Sequence, residues 1–236
     1  MESLINSIVV PGDVILDLTA EVKSKIIVGP GLRVSSNKII ATKCGILHKK
    51  GSNVYWVDSR QKRYVPAKGE TIVGVITNKS GDIFKVEIGA SEQAQLPYLA
   101  FEGATKKFRP NINVGDVVYA RLLVANKDLE PELVCVDSHG KKGKLGVLPS
   151  DGFMFNCSLN LVRKILNPKC PLIDTFQRTL QIPFEIAAGM NGNVWIKAKT
   201  VNETIAVANA ILAVEYKSDS EIKELCENIG NALAGF

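Results

Sequence analysis

The sequence predicts a mainly β chain with an α/β C-terminal part, and three observations carry that expectation. Short β-prone runs punctuated by Gly and Pro fill Ile8 to Asp58. Five strand-length segments follow between Thr71 and Asp137, with no helix-length apolar period between them. Beyond them, stretches of helical period alternate with strands. At 236 residues and 46% hydrophobic content the chain can bury several small cores. The patterns divide it into a small N-terminal β domain over 1–65, a barrel over 66–140 and an α/β domain over 141–236.

In the first domain the runs are IVV, VILDL after Pro11-Gly12-Asp13, KIIV, KIIAT, ILH and NVYWV, lengths that suit a small antiparallel arrangement. The basic turn QKRYVPAKG, with Pro66 and Gly69, marks a boundary near residues 62–69. The next five segments are TIVGVITN, DIFKVEIG, AQLPYLAFE, DVVYARLLVAN and PELVCVD. In the second, Phe84, Val86 and Ile88 alternate with Lys85 and Glu87, so Phe84 is expected in the core and Lys85 outside it. Five such strands suggest a small closed barrel. HGKKGKLG then reads as a flexible linker.

The C-terminal part is expected to open with a short strand around Gly146 to Leu148. Helix SLNLVRKILN follows, capped by Ser158, with Leu161, Ile165 and Leu166 on one face and a stop at Asn167-Pro168. A shorter helix falls in IDTFQRTL, and strands PFEIAAG and NVWIKAK are joined at Gly189-Met190-Asn191-Gly192. The Asn-Gly pair predicts a tight primed turn with both central residues at positive φ. Helix ETIAVANAILAVEYK, opened by Asn202 or Thr204, is expected to cover the hairpin, and EIKELCENIGNAL closes the chain. The order βααββα is that of a KH fold.

Net charge is +5, unevenly spread. Residues 43–68 carry seven basic side chains against Asp58 alone, Lys106, Lys107, Arg109, Arg121 and Lys127 face only Asp116, and Lys141, Lys142 and Lys144 follow. Such a split presents a basic face to an anionic partner. Five cysteines without a CxxC pair, and two isolated histidines, argue against a disulfide framework and a metal site and favour a reducing compartment. The start MESLINSIVVPGDV lacks the pattern of a secretory leader, and the longest apolar run, Ile205 to Val214, is too short for a bilayer. No pattern assembles a catalytic site. The carboxylates of Asp13 and Asp17, Glu130 and Glu132, and Asp137 and Asp151 lack two-metal spacing, and HGKKGKLG is no Walker loop.

The barrel carries the binding candidates. Gly74-Val75-Ile76, Phe84 to Gly89 and Val114 to Ala120 are spaced as in S1 domains, whose OB barrels meet single strands on the second and third strands. Here the outward residue on strand two is Lys85 rather than an aromatic, which shifts weight from stacking to charge. Lys106, Lys107 and Arg109 in GATKKFRPN occupy the loop between strands three and four, and Arg121 projects from strand four. Each alone is a solubilising charge; the cluster points to phosphate contact. Gly189-Met190-Asn191-Gly192 satisfies a GxxG pattern, but between strands instead of helices and without a basic residue, so a structural role is expected, with Trp195 a packing residue.

Taken together, IVVPGDV, IIVGPGLR, QKRYVP, TNKSGDIFKVEIGASE, NVGDVVYARLLVANKDLEPELVCVD and GMNGNVWIKAKT resemble the cap subunits of the eukaryotic RNA exosome that carry N-terminal, S1 and KH domains. The GxNG turn points to the third-ranked cap component type over its S1-only relative. The resemblance implies a non-catalytic, cofactor-free subunit seated on a ring of RNase PH-like subunits beside other cap subunits. It would guide single-stranded RNA toward a central channel, away from membranes, in nucleus, nucleolus and cytoplasm. It also implies that the GxNG turn is buried between the S1 and KH domains. A free-standing single-stranded RNA-binding regulator and an exoribonuclease are the competing classes.

Overall fold

The computed structural model describes residues 4–18, 26–51, 53–126, 129–167, 170, 172–179 and 183–234. The chain divides into two compact units, Met1–Gln61 and Lys62–Phe236. In the first lie β1 (Ile8–Val9), β2 (Val14–Asp17), β3 (Ile27–Val28), β4 (Leu32–Ser35), β5 (Lys38–Ala41), β6 (Gly45–Lys50) and β7 (Val54–Asp58). They form two sheets, ordered β1-β6-β7-β3 and β2-β5-β4, around Val9, Ile15, Leu16, Ile39, Leu47 and Val57. The unit is not wholly antiparallel, because β3 runs parallel to β7 through Ile27↔Val54. Strands that are not hairpin neighbours are free to pair in either sense. Strand β4 has no counterpart among the predicted runs. It meets β5 through Ser36-Asn37, whose φ angles of 47° and 57° form the two-residue turn that Asn-Gly usually signals.

The second unit opens with a barrel of β8 (Thr71–Ser80), β9 (Ile83–Glu87), β10 (Ala94–Pro97), a 3₁₀ turn (Tyr98–Ala100), β11 (Val117–Asn126) and β12 (Leu129–Val134). The order is β12-β10-β9-β8-β11, and pairing of β11 with β12 closes it. Ile76, Phe84, Val86, Ile88, Leu96, Ile112, Val118 and Leu133 fill the interior, so Phe84 is core, as its alternation with Lys85 requires. Tyr64 joins the same core and donates its hydroxyl to Glu70 at 2.6 Å, so the barrel begins ahead of residue 66.

Two expectations change after β12. Strand β13 (Gly146–Val147) pairs with β11 and extends the barrel sheet instead of opening the KH sheet. The segment before it is ordered, not a flexible linker. The Asp137 carboxylate accepts from the backbone of His139 and Lys141, which holds it below the usual carboxylate range, and the Lys142 N–H donates to Glu102 at 2.8 Å.

The remaining elements are β14 (Phe153–Asn156), α1 (Leu159–Leu166), α2 (Leu172–Thr179), β15 (Phe184–Ala188), β16 (Asn193–Ala198), α3 (Val201–Ala213) and α4 (Asp219–Ala234). The antiparallel sheet β14-β16-β15 gives the order βααββα with a helix added. Its first strand is β14, which hides from a period-two search because both its faces are apolar: Met154 packs toward the barrel and Phe155 toward the helices. Ser158 caps α1 through Leu161 N–H, and Leu159, Leu161, Val162 and Ile165 are buried while Leu166 is exposed. Helix α3 is capped by Thr200, not by Asn202 or Thr204. Thr200 and Glu203 form a reciprocal capping box that satisfies two end donors at once. Lys164 ties α1 to the far end of α3, its ammonium donating to the carbonyls of Val214 and Lys217 at 2.9 and 2.6 Å. Among the described residues no helix is long and apolar enough to cross a membrane.

Cys44 is exposed, whereas Cys135 and Cys226 are buried, their thiols pushed up by burial to about 12 and about 11. A thiol reagent at pH 8 is expected to label Cys44 in the native protein and to reach Cys135 and Cys226 only on unfolding, as followed by peptide mass spectrometry.

Candidate nucleic-acid interface

On the outer face of β9, β10 and β12 the register places Lys85 beside Gln95 and Gln95 beside Glu132. Lys85 Nζ pairs with Glu130 at 2.5 Å, and the Gln95 amide donates to the same oxygen. The Gln95 amide and the Lys85 ammonium hold the Glu130 carboxyl below its ordinary range. The face on which OB barrels commonly meet single strands is therefore charge-compensated here, and Lys85 is engaged within it.

The loop from β10 to β11 is different. Lys106 and Lys107 are exposed and make no ion pair among the described residues. The loop is nonetheless built. Thr105 and Phe108 bond across a tight turn, Thr105 N–H to Phe108 O at 3.0 Å and Phe108 N–H to Thr105 Oγ1 at 3.1 Å. Arg109 lies over the Tyr98 ring, 4.7 Å from its centroid, and pairs with Asp82 at 2.9 Å, joining the loop to the β8–β9 turn. Ile112, fully buried, anchors the return to β11. Lys79, beside the same turn, stands over the Phe84 ring at 5.8 Å. The structure thus adds Lys79 to the end of the barrel that carries Lys106, Lys107 and Arg109. Its sequence signal was a lysine in TNKSGD two residues before Gly81. Arg121 is occupied elsewhere: its guanidinium donates to Val136 O at 3.2 Å and faces Asp137.

The Gly189-Met190-Asn191-Gly192 turn points into the protein. Strand β9 joins β8 only from Val75 onward, which leaves the edge at Val73 to be paired by something else. Asn191, 4% exposed, supplies the partner. Its amide donates to Val73 O at 2.8 Å and Ile88 O at 2.9 Å, and its oxygen accepts from Val73 N–H at 3.2 Å. Asn193 adds a bond to Val73 O, and Met190 N–H donates to Thr71 O, both at 2.9 Å. A Cβ on Gly189 would lie 2.4 Å from Val73 N, so only glycine admits this approach. The turn is not the primed type expected. Only Gly192 has positive φ, at 91°, while Asn191 keeps negative φ with its side chain turned inward to the barrel.

Trp195 is 2% exposed and packs on Val73, Ala187, Tyr119, Leu148 and Met154, flat enough against Gly152 that a side chain there would overlap the indole. Between α1 and α2, where KH domains grip nucleic acid, the sequence reads Asn167-Pro168-Lys169-Cys170-Pro171, without a glycine to let a phosphate backbone close in. Among the described residues no group of three or more His, Cys, Asp or Glu is placed to hold a metal ion.

An OB barrel and a KH-type sheet that share one buried asparagine turn, with a separate β unit ahead of them, define a tandem S1–KH protein. Comparison with known families matches residues 7–60 to the mammalian exosome complex component RRP40 N-terminal model, 64–146 to the RRP40 S1 domain and 152–202 to a KH domain. Exosome complex component RRP40 of Drosophila melanogaster is 48% identical over 98% of this chain and 99% of its own length. The human protein is 47% identical over 88% and 77%, and that of Saccharomyces cerevisiae 34% identical over 91% of each. This chain belongs to the RRP40 family of exosome complex components. A solved structure assigned as an exosome complex RNA-binding protein shares the fold, with a TM-score of 0.59 at 19% identity over 73% of this chain and 99% of its own.

Replacing Asn191 with Ala removes three hydrogen bonds and leaves buried Val73 and Ile88 backbone groups with fewer partners. It is expected to cost about 2–4 kcal/mol in urea unfolding, against less than about 0.5 kcal/mol for an exposed asparagine such as Asn111.

Proposed function

We propose that this protein is a non-catalytic RNA-binding subunit of an exosome, and that it helps guide single-stranded RNA toward the channel of a ring of RNase PH-like subunits. One observation carries the reading: Lys106 and Lys107 stand exposed on a hydrogen-bonded loop that Arg109 fastens to the barrel, with Lys79 beside the turn it is fastened to. Cations on a preformed loop neutralise phosphates without reading bases, so binding is expected to be sequence-tolerant and salt-sensitive. The compensated strand face and the inward GxNG turn add little of their own to phosphate binding, which suits a subunit that shares its RNA with neighbours better than a free-standing regulator. Among the described residues no cluster of carboxylates and histidines supports the competing exoribonuclease reading. Ring and other cap subunits are the proposed partners, and nucleus, nucleolus and cytoplasm the proposed locations.

The test is binding and degradation of a labelled single-stranded RNA by the chain alone and after reconstitution with ring subunits, across magnesium and salt series. Binding that is weak alone and tightens on assembly supports the reading. Chelator-sensitive degradation by the chain alone overturns it. Lys106→Ala with Lys107→Ala is expected to weaken binding several-fold and to lower the slope of log affinity against log salt by about 1.4, at roughly 0.7 per phosphate. Lys85→Ala is expected to change affinity less than about twofold, since its charge is already met by Glu130.

A further inference from the structure

Phe108 stands at the tip of the basic loop with 75% of its surface exposed, outside the hydrophobic cores of the described residues. Exposure alone says little. Tyr216 is equally open, but it lies past the end of α3 between Glu215 and Lys217. Phe108 differs in three respects. It lies between cations, with Lys106 and Lys107 on one side and Arg109 on the other. Its backbone is locked in both directions to Thr105, and the flanking Arg109 is pinned by Asp82 and Tyr98, so the ring is held out on a built turn. The other aromatics of this end of the barrel are taken, since Phe84 and Tyr98 are buried and each has a cation across its face. A singly exposed apolar side chain is ordinary on a protein surface; what sets Phe108 apart is its place on a braced turn among cations.

We propose that Phe108 is a base-stacking platform, an unpaired nucleobase of single-stranded RNA lying against its ring while Lys106 and Lys107 hold the flanking phosphates. The inference rests on the RNA-binding reading of the same loop and adds to it a contact with the base. Every base has a π-face, so the contact stays sequence-tolerant, and it adds affinity that salt does not screen. The aromatic that OB barrels carry on the strand face is here moved to the loop, where the cations are.

The experiment is fluorescence anisotropy of the full chain with a labelled single-stranded oligoribonucleotide and with its abasic counterpart, comparing wild type, Phe108→Ala, Phe108→Trp and Lys106→Ala/Lys107→Ala. Phe108→Ala is expected to weaken binding to the normal RNA about tenfold with the salt slope unchanged. Phe108→Trp should retain or tighten binding, and abasic RNA should bind wild type and Phe108→Ala alike. If Phe108→Ala matches wild type on normal RNA while the double lysine variant is weakened, the stacking inference falls and the RNA-binding reading stands. If wild type binds neither RNA, alone or with ring subunits, both fall. If Phe108→Ala keeps its RNA affinity but loses assembly with ring subunits, the ring anchors a protein and the inference is overturned.

Discussion

Asn191 carries the arrangement of the larger unit. Its side chain supplies one donor–acceptor pair to Val73 and a second donor to Ile88, continuing as a side chain the β8–β9 ladder that the backbone stops at Val75. A buried amide is tolerated only when its hydrogen bonds are made, and here they are made to backbone of a different domain. The KH hairpin and the S1 barrel are thereby registered to one another to within a hydrogen-bond length. Met190, beside it, packs into both cores, and Trp195 seals the same seam. With Asn191 inside, the N–H groups of Gly189, Met190 and Gly192 are bonded within the protein, to Asn193 O, Thr71 O and Gly189 O.

That commitment redistributes the work of the surface. A KH domain whose GxxG-like turn is spent on packing cannot grip RNA through it, and an OB face whose lysine is matched by Glu130 offers little net charge. At the end of the barrel, by contrast, Arg109 and Asp82 brace the β10–β11 loop and leave Lys106, Lys107 and Phe108 exposed. Arg109 is the clearest case of a cation with a structural duty, stacked on Tyr98 and paired with Asp82, and its charge acts on the loop before it acts on a ligand.

Much of the fold was legible along the chain. The five barrel strands follow from alternation, above all Phe84, Val86 and Ile88 against Lys85, and Ser158 announces α1 by its capping chemistry. Failures occurred where local pattern and long-range pairing disagree. Gly146–Val147 is a strand by composition, but only β11 determines that it belongs to the barrel. Phe153–Asn156 has no alternation, because its faces are covered by two different cores. Asn191-Gly192 looks like a primed turn, and the barrel's open edge draws Asn191 out of it.

The sequence by itself determined the fold class, the domain order and the family, because alternation, capping and turn chemistry are local and the motifs are contiguous. Tertiary structure decided which charges are available. Lys85 and Lys106 are indistinguishable as letters, yet one meets Glu130 from a strand 45 residues away and the other meets water. Ion pairing depends on distances of a few ångströms between segments remote in the chain, and only the closed barrel sets those.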